Sequence, residues 1–351
     1  MSSTFDLLTL AVLTEVGPCR AATLRSRGPL SDVLARPDDH GDVLRAEARE
    51  ELRSGRARQR ARGEQERARG RGERIVGLDE PDYPGLLRHI YDPPPVLWVR
   101  GAIEGEAGAR SVAIVGARKA TPAGGALARR MAGELAAAGA AIVSGLARGI
   151  DGEAHVGCLE GGGATIAVLG SALDCLYPPE NAGLAARIAL SGAVVSEFPY
   201  GTGPRAGNFP RRNRVIAGWG RGVVVVEARS RSGALVTARC ALDEGREVMA
   251  VPGHPSQPNA EGTNQLLRAG AALVRGAADV AEELGWVIPV TEPASRPADD
   301  LLAVLHSGAP LGLEEIQARS GRGAPELLAR LAELELESRV RRLPGGLFVR
   351  R

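Results

Sequence analysis

From residue 111 onward, short and continuously apolar runs recur at Val112–Val115, Ala141–Val143, Thr165–Leu169, Ala193–Val195, Val223–Val226, Val248–Val251 and Ala272–Val274. Most are separated by segments able to form a helix. Strands without polar alternation are buried on both faces, so this pattern predicts a largely parallel sheet covered by helices. The first intervening helix is well punctuated: Thr121 as N-cap, Pro122 as first helical residue, Gly139 as the stop. Leu127, Met131 and Leu135 make its apolar stripe.

The pattern differs on either side. Residues 1–52 read as a helical unit, with Leu7, Leu8, Ala11 and Val12 at helical spacing. Val16-Gly17-Pro18 then opens a short helix in the manner of a helix-hairpin-helix or SAM-like unit. A plain Gly-Pro turn between helices accounts for the same residues and is preferred. Residues 53–74 hold nine arginines, three glutamates and almost nothing apolar. Such a run cannot supply a core face, so it reads as an Arg-rich linker or solvated helix, the linker being favoured. Weak, nonspecific attraction for nucleic acid is its secondary reading. Residues 75–286 form the α/β domain, an extended Rossmann-like sheet to which Val96–Val99 adds an edge strand. Residues 287–298 form a proline-rich linker. Residues 299–351 predict helices near 299–306, 313–319 and 324–336, then a hairpin from Arg339–Arg342 and Leu347–Val349. Helices followed by a wing describe a winged helix.

Composition narrows the function classes. The length of 351 residues suits two or three domains. No apolar run is long enough to span a bilayer, and the N-terminus lacks a basic-then-apolar signal pattern. A soluble cytoplasmic protein with no membrane partner is expected. Cys19, Cys158, Cys175 and Cys240 are scattered without paired spacing, as small buried hydrophobes in a reducing compartment rather than zinc ligands or a disulfide frame. The net charge of +2 says little. The type of cation says more: Lys119 is the only lysine, and every other cation is an arginine, whose fork suits phosphate. Low aromatic content argues against a surface built mainly from base-stacking platforms.

Candidate chemistry gathers where strands should end. Phe209-Pro210-Arg211-Arg212-Asn213-Arg214-Val215-Ile216-Ala217 lies between two predicted strands, and three guanidinium groups there suit several phosphates. Val115-Gly116-Ala117-Arg118-Lys119 leaves the first strand of the parallel block. Arg118 stands where a dinucleotide-binding turn has its second glycine, which argues against NAD or FAD, while the following helix N-terminus still favours an anion. Ser144-Gly145-Leu146-Ala147-Arg148-Gly149-Ile150-Asp151 precedes His155. Asp151 and His155 invite an acid–base reading, yet no nucleophile or metal set accompanies them, so holding the loop is preferred. Glu197 and Glu227 read either as paired catalytic carboxylates or as holders of nearby arginines. Phe209 reads as a core plug before a base-stacking ring. In the winged helix, the third helix carries Glu326, Glu333 and Glu335, which would repel a phosphate backbone. The wing is basic, so protein docking or weak wing contact is favoured over duplex reading.

These motifs, in this order, resemble the DprA/Smf family of DNA-processing proteins. The resemblance rests on Ile114-Val115-Gly116-Ala117-Arg118, Ser144–Asp151 with Ala154-His155, and Phe209–Ala217. It continues through Ser232-Gly233-Ala234-Leu235-Val236-Thr237-Ala238, Val251-Pro252-Gly253 and Glu261-Gly262-Thr263-Asn264. It implies a Rossmann-like domain that binds single-stranded DNA without established catalysis, with no cofactor and no metal. It also implies a homodimer that protects incoming strands in natural transformation or recombination and loads the RecA recombinase, single-strand-binding protein being a further candidate partner. The arginine of the Val-Gly-x-Arg loop matches Arg118, and the family's other pocket cations match Arg211, Arg212 and Arg214. Lys119, Arg148 and Asn213 complete the expected DNA-binding set. The competing expectation is a nucleotide-processing enzyme of phosphoribohydrolase type. Its Pro-Gly-Gly-x-Gly-Thr run is not reproduced by Gly161-Gly162-Gly163 or Pro252-Gly253.

Overall fold

Each apolar run becomes a strand, and all but the last, Ala272–Leu273, are largely buried. A computed structural model of the chain describes residues 3–103, 110–287, 300–305, 310–337 and 339–350. It divides into a unit Met1–Ile288 and a unit Pro289–Arg351. The first unit begins with α1 (Thr4–Ala11), α2 (Pro18–Arg25), α3 (Leu30–Ala35), α4 (Ala46–Arg53) and α5 (Arg56–Gly70). These lead into β1 (Arg74–Gly77), α6 (Gly85–Arg88) and β2 (Val96–Gly101). The α/β succession follows as β3 (Ser111–Val115), α7 (Pro122–Ala137), β4 (Ala141–Ser144), α8 (Ile150–Glu160) and β5 (Thr165–Val168). It continues with α9 (Ala182–Ser191), β6 (Ala193–Ser196), α10 (Asn208–Trp219), β7 (Gly222–Val225), α11 (Gly233–Asp243) and β8 (Glu247–Ala250). The unit closes with α12 (Glu261–Arg268), β9 (Ala272–Leu273) and α13 (Ala277–Glu283).

The nine strands form one sheet in the order β1-β2-β6-β5-β4-β3-β7-β8-β9. From β6 to β9 all neighbours are parallel. Strand order runs 6-5-4-3 to one side and 7-8-9 to the other, so a topological switch lies between β3 and β7. Open α/β sheets bind ligands outside the strand carboxyl ends at such a switch.

Two expectations are corrected here. Val96–Val99 is not an edge: β2 lies between β1 and β6, antiparallel to both, with Trp98 and Leu97 fully buried. The sequence reading missed β1, which is the true edge. The arginine-rich segment is neither a linker nor wholly solvated. Ala57, Ala61, Glu64 and Ala68 form a buried face of α5. Their spacing of three and four residues puts them on one side of a helix. Alanines let the helix approach closely, and the surface beneath supplies the bulk. Glu64 Oε2 accepts hydrogen bonds from Trp98 Nε1 (3.0 Å) and the Tyr200 backbone N–H (3.1 Å). The core is therefore continuous from α1 through α5 to the sheet, with Leu7, Leu10, Trp98 and Val195 in one cluster.

On the other face, Met131, Leu135, Ile142 and Val224 pack together, and Leu127 lies partly buried at their margin. Thr121 caps α7 by accepting from the Gly124 N–H (3.0 Å), and Gly139 adopts φ +80° beyond its end. Helices α7 and α8 cross so closely that a Cβ on Gly157 would sit 1.9 Å from the Arg129 carbonyl oxygen. Gly157→Ala is expected to cost about 1–3 kcal/mol as the helices are forced apart. A denaturant midpoint equal to wild type would show that they separate freely.

The second unit comprises α14 (Asp300–Val304), β10 (Leu311–Gly312), α15 (Leu313–Ser320), α16 (Ala324–Leu336), β11 (Val340–Leu343) and β12 (Leu347–Arg350). Its sheet order is β10-β12-β11, and Leu301, Ile316, Leu331 and Phe348 share its core. Arg330 of α16 pairs with Glu333 (2.6 Å). Except for Val287, the stretch expected as a proline-rich linker lies outside the described residues. Among the described residues, no helix is long and apolar enough to cross a membrane. Of the four cysteines only Cys158 is buried; Cys19 is exposed, and all are free thiols.

Candidate nucleic-acid interface

The switch point between β3 and β7 opens into a pocket of about 630 Å³. Its walls come from four strand-to-helix connections. The Gly116–Arg118 turn follows β3, the Ala147–Asp151 loop follows β4, Tyr177 follows β5, and the 204–213 segment leads into and through the start of α10. The first turn of α11, with Ser232 as its cap, completes the rim.

Arg212 forms the floor. It is 5 % exposed, and its Nη1 donates to the Gly145 carbonyl oxygen (2.8 Å) and to that of Val168. No protein group among the described residues takes up its Nη2, which lies next to Gly145 and the Asp151 carboxylate. A Cβ at position 145 would fall 2.6 Å from Arg212 Nη2 and 2.7 Å from Asp151 Oδ2, so only glycine lets the two charges sit there. Burial pushes the Arg212 pKa down to about 10, and Arg118 adds repulsion, while Asp151 opposes both. Burial also raises the Asp151 carboxyl, against Arg212 and several backbone N–H groups. The positive charge on Arg212 is thus incompletely compensated within the protein, the condition that an incoming anion relieves.

His155 lies behind this floor. It is fully buried, with Nδ1 2.7 Å from Thr165 Oγ1 and Nε2 without a partner. Burial, then the charge of Arg212, depresses its pKa to about 3, so the ring is neutral near pH 7. Among the described residues no nucleophile is aligned on it: the nearby Thr165 hydroxyl donates to the Ile142 carbonyl oxygen (2.8 Å).

The mouth is cationic and aromatic. The exposed Arg118 guanidinium lies 5.3 Å from the Phe209 ring centroid, and Tyr177 meets that ring edge-on at 5.9 Å. Arg148 reaches a side chamber shared with Arg118 and Arg212, and pairs with the exposed Glu180. Asn213 lines the pocket and donates to the Gly233 carbonyl oxygen (3.3 Å).

The structure therefore brings together Arg118, Arg148, Arg212 and Asn213 of the seven expected residues. It sets the other three apart. Positions 211 and 214 share a helix face, and both turn to the buried Glu197. Arg211 donates to Glu197 Oε2 (3.2 Å) and stacks on Phe198 (5.0 Å). Arg214 is 8 % exposed and is held by Glu197 and by Asp92 (3.4 Å). The three arginines within Arg211–Arg214 read in sequence as one phosphate cluster; the helix points them to two destinations. Lys119 is exposed beside the pocket without lining it. Glu197 and Glu227 are engaged by different parts of the fold. Glu197 holds arginines, whereas Glu227 holds the α7 cap, accepting from the Thr121 N–H (3.0 Å) and from Asn259 Nδ2 (3.0 Å).

Residues 74–285 match the family described as DNA recombination-mediator protein A. The chain belongs to that family. Residues 289–346 match the DprA winged helix domain. Protein Smf of Escherichia coli K12 is 39% identical over 286 residues, covering 78% of this chain and 76% of that protein. The structure of DprA from Streptococcus pneumoniae superposes with a TM-score of 0.68 at 32% identity, covering 81% of this chain and 99% of that one. DNA processing protein A from Helicobacter pylori, whose structure concerns its single-stranded DNA binding mode, gives a TM-score of 0.54 at 29% identity, covering 60% and 95%. The DprA/Smf resemblance carried by the sequence motifs is thereby established, along with the α/β sheet, N-terminal helices and winged helix. This member of the DprA family places a buried, incompletely compensated arginine at the floor of the strand-end pocket.

Sequence reasoning missed three features of this DprA-family pocket. Phe209 is not a core plug; it is half-buried at the mouth, packed under Arg118. Tyr177 was seen only as part of a loop. Arg205 is exposed between the pocket-lining Pro204 and Ala206, with no side-chain partner among the described residues. A usable signal existed: all three lie in connections that follow a predicted strand.

Proposed function

We propose that this protein binds single-stranded DNA in the strand-end pocket, protects it and delivers it to a RecA-type recombinase. It does so as a nonenzymatic homodimer serving natural transformation or recombination, with single-strand-binding protein as a further partner. The observation that carries the reading is Arg212: a buried guanidinium with one nitrogen left open beside a rim of Arg118 and Arg148. Phosphate supplies the missing acceptor and charge, and arginine forks match its oxygens. The Phe209 and Tyr177 rings offer stacking surfaces that tolerate any base. Neutral His155 without an aligned nucleophile supports binding over catalysis. The Helicobacter pylori relative, named for its single-stranded DNA binding mode, supports the choice of ligand.

Arg118→Ala is expected to weaken binding and to flatten the log–log salt dependence by about 0.7, the value for one phosphate contact on a single strand. Arg118 is exposed, so the melting temperature stays near wild type. An unchanged slope in the folded variant removes Arg118 from the pocket assignment. A mobility shift that favours duplex over single-stranded DNA sinks the reading as a whole. Release of free base from a nucleoside monophosphate would favour the enzyme alternative.

A further inference from the structure

The DprA-family match begins at residue 74 and leaves α5 and its arginines outside. Around the helix these arginines form two rows. At 100° per residue, Arg58 and Arg62 lie on one flank, and Arg60 and Arg67 lie on the other. Arg58 and Arg62 are exposed and have no side-chain partner among the described residues. The opposite row is held in place. Arg60 pairs with the buried Glu51, and Arg67 with the buried Glu64.

The end of that second row lies beside chain segments that lead into the pocket. Arg67 and Arg71 both lie over the Tyr200 ring, at 5.6 and 5.5 Å. Each remains about half exposed, and Arg71 has only a loose ion pair with Asp174 (3.8 Å). Tyr200 itself is locked, its N–H on Glu64 and its hydroxyl on Glu73 (2.5 Å). Two chain segments run from this spot to the pocket. Asp174 precedes Tyr177 by three residues, and Tyr200 precedes Pro204 by four, with the unpartnered Arg205 next. The separation along either segment is at most about 10–14 Å, a few nucleotides of strand.

We propose that the strand leaving the pocket crosses Arg205 and lays its backbone on Arg71 and Arg67, so that the N-terminal helical unit forms part of the DNA path. The proposal rests on single-stranded DNA being the pocket's ligand. The occupant is chosen by charge and continuity. Two guanidinium groups, pinned on an aromatic ring, face solvent at the end of a cationic rim, and a phosphodiester chain is the ligand that the rim already suits. The buried carboxylates Glu64 of α5 and Glu73 just beyond it hold Tyr200, and so fix the station.

The test compares the full-length protein with Arg67→Gln/Arg71→Gln and with a charge-matched control, Arg58→Gln/Arg62→Gln, on the far flank. Affinities are measured for oligothymidylates of about 5 and about 25 nucleotides at about 50 and about 200 mM salt. For the long strand, losing two phosphate contacts makes the ratio of wild-type to Arg67/Arg71-variant affinity shrink about sevenfold between the two salts. Affinity for the short strand stays at the wild-type value, and so does the control on both strands. Long-strand binding equal to wild type in the folded Arg67/Arg71 variant overturns the proposal. So does an equal loss in the control, which would mean diffuse charge attraction. Should loss of the Arg67–Glu64 pair unfold the double variant, Arg71→Gln alone carries the test, with half the slope change. Failure of wild type to bind even the short strand would instead count against the pocket reading, so the two failures are distinguishable.

Discussion

Arg214→Ala is expected to lower folding stability by about 3–5 kcal/mol, the range for removing one member of a buried ion pair. Arg214 links α10 to two separate parts of the chain. Its Nη2 donates to Glu197 after β6, and its Nη1 donates to Asp92 in the segment before β2. Without it, Glu197 keeps only Arg211 as a charged partner, and Glu197 Oε1 already lacks a hydrogen bond. A carboxylate so deeply buried cannot recover its hydration, so the lost partner costs more than an exposed pair would. Urea denaturation measures the loss. Glu197→Ala should show a similar deficit, and the double variant should lose less than the sum, because removing both leaves neither charge buried without its partner. Binding of single-stranded DNA by the folded fraction keeps its wild-type salt slope. A variant of near-wild-type stability with a flattened slope would return Arg214 to the phosphate-binding set.

The second large effect is acid destabilisation through His155. The folded-state pKa is about 3, whereas an unperturbed histidine titrates near pH 6.5. Between those values the unfolded chain binds a proton that the folded chain refuses. Stability therefore falls as pH drops from about 6.5 toward about 3, by up to about 1.4 kcal/mol per pH unit from this group alone. Above about pH 6.5 the ring is neutral in both states and adds no pH dependence. Asp151 acts in the opposite direction at the acid end. Its raised pKa lets the folded state take up a proton before the unfolded one, which offsets part of the loss. His155→Gln removes the titration while keeping a polar side chain for the Thr165 contact. Its stability curve against pH should be flatter than wild type between pH 6 and pH 4. Parallel curves would show that His155 is not buried in the neutral form.

Much of the architecture was legible because its signals are local. Seven apolar runs without alternation can be buried only on both faces, and the Thr121-Pro122 start and Gly139 stop describe α7 before any contact is known. The α5 segment was misread for a related reason. Three alanines and a glutamate carry little apolar area, and what makes them a buried face is Trp98 and the Tyr200 N–H, which lie 34 and 136 residues away. The placement of β2 was similarly hidden, since an edge and a penultimate strand differ only by the neighbour that β1 supplies.

The pocket divides along the same line. Arg118 was legible because it replaces a glycine at the end of the first strand of the parallel block, a position whose geometry follows from the motif. The arginines of α10 were not separable. Adjacent residues on a helix point about 100° apart, and their destinations are set by Glu197, Asp92, Gly145 and Val168, none of them near in sequence. The sequence by itself determined the family, the sheet and the end of it where ligands gather, because strand burial, capping and turn chemistry act over a few residues. Only the tertiary structure decided which cations face that end and which hold the molecule together. A charge is free for phosphate only if no carboxylate from elsewhere in the fold has been packed against it.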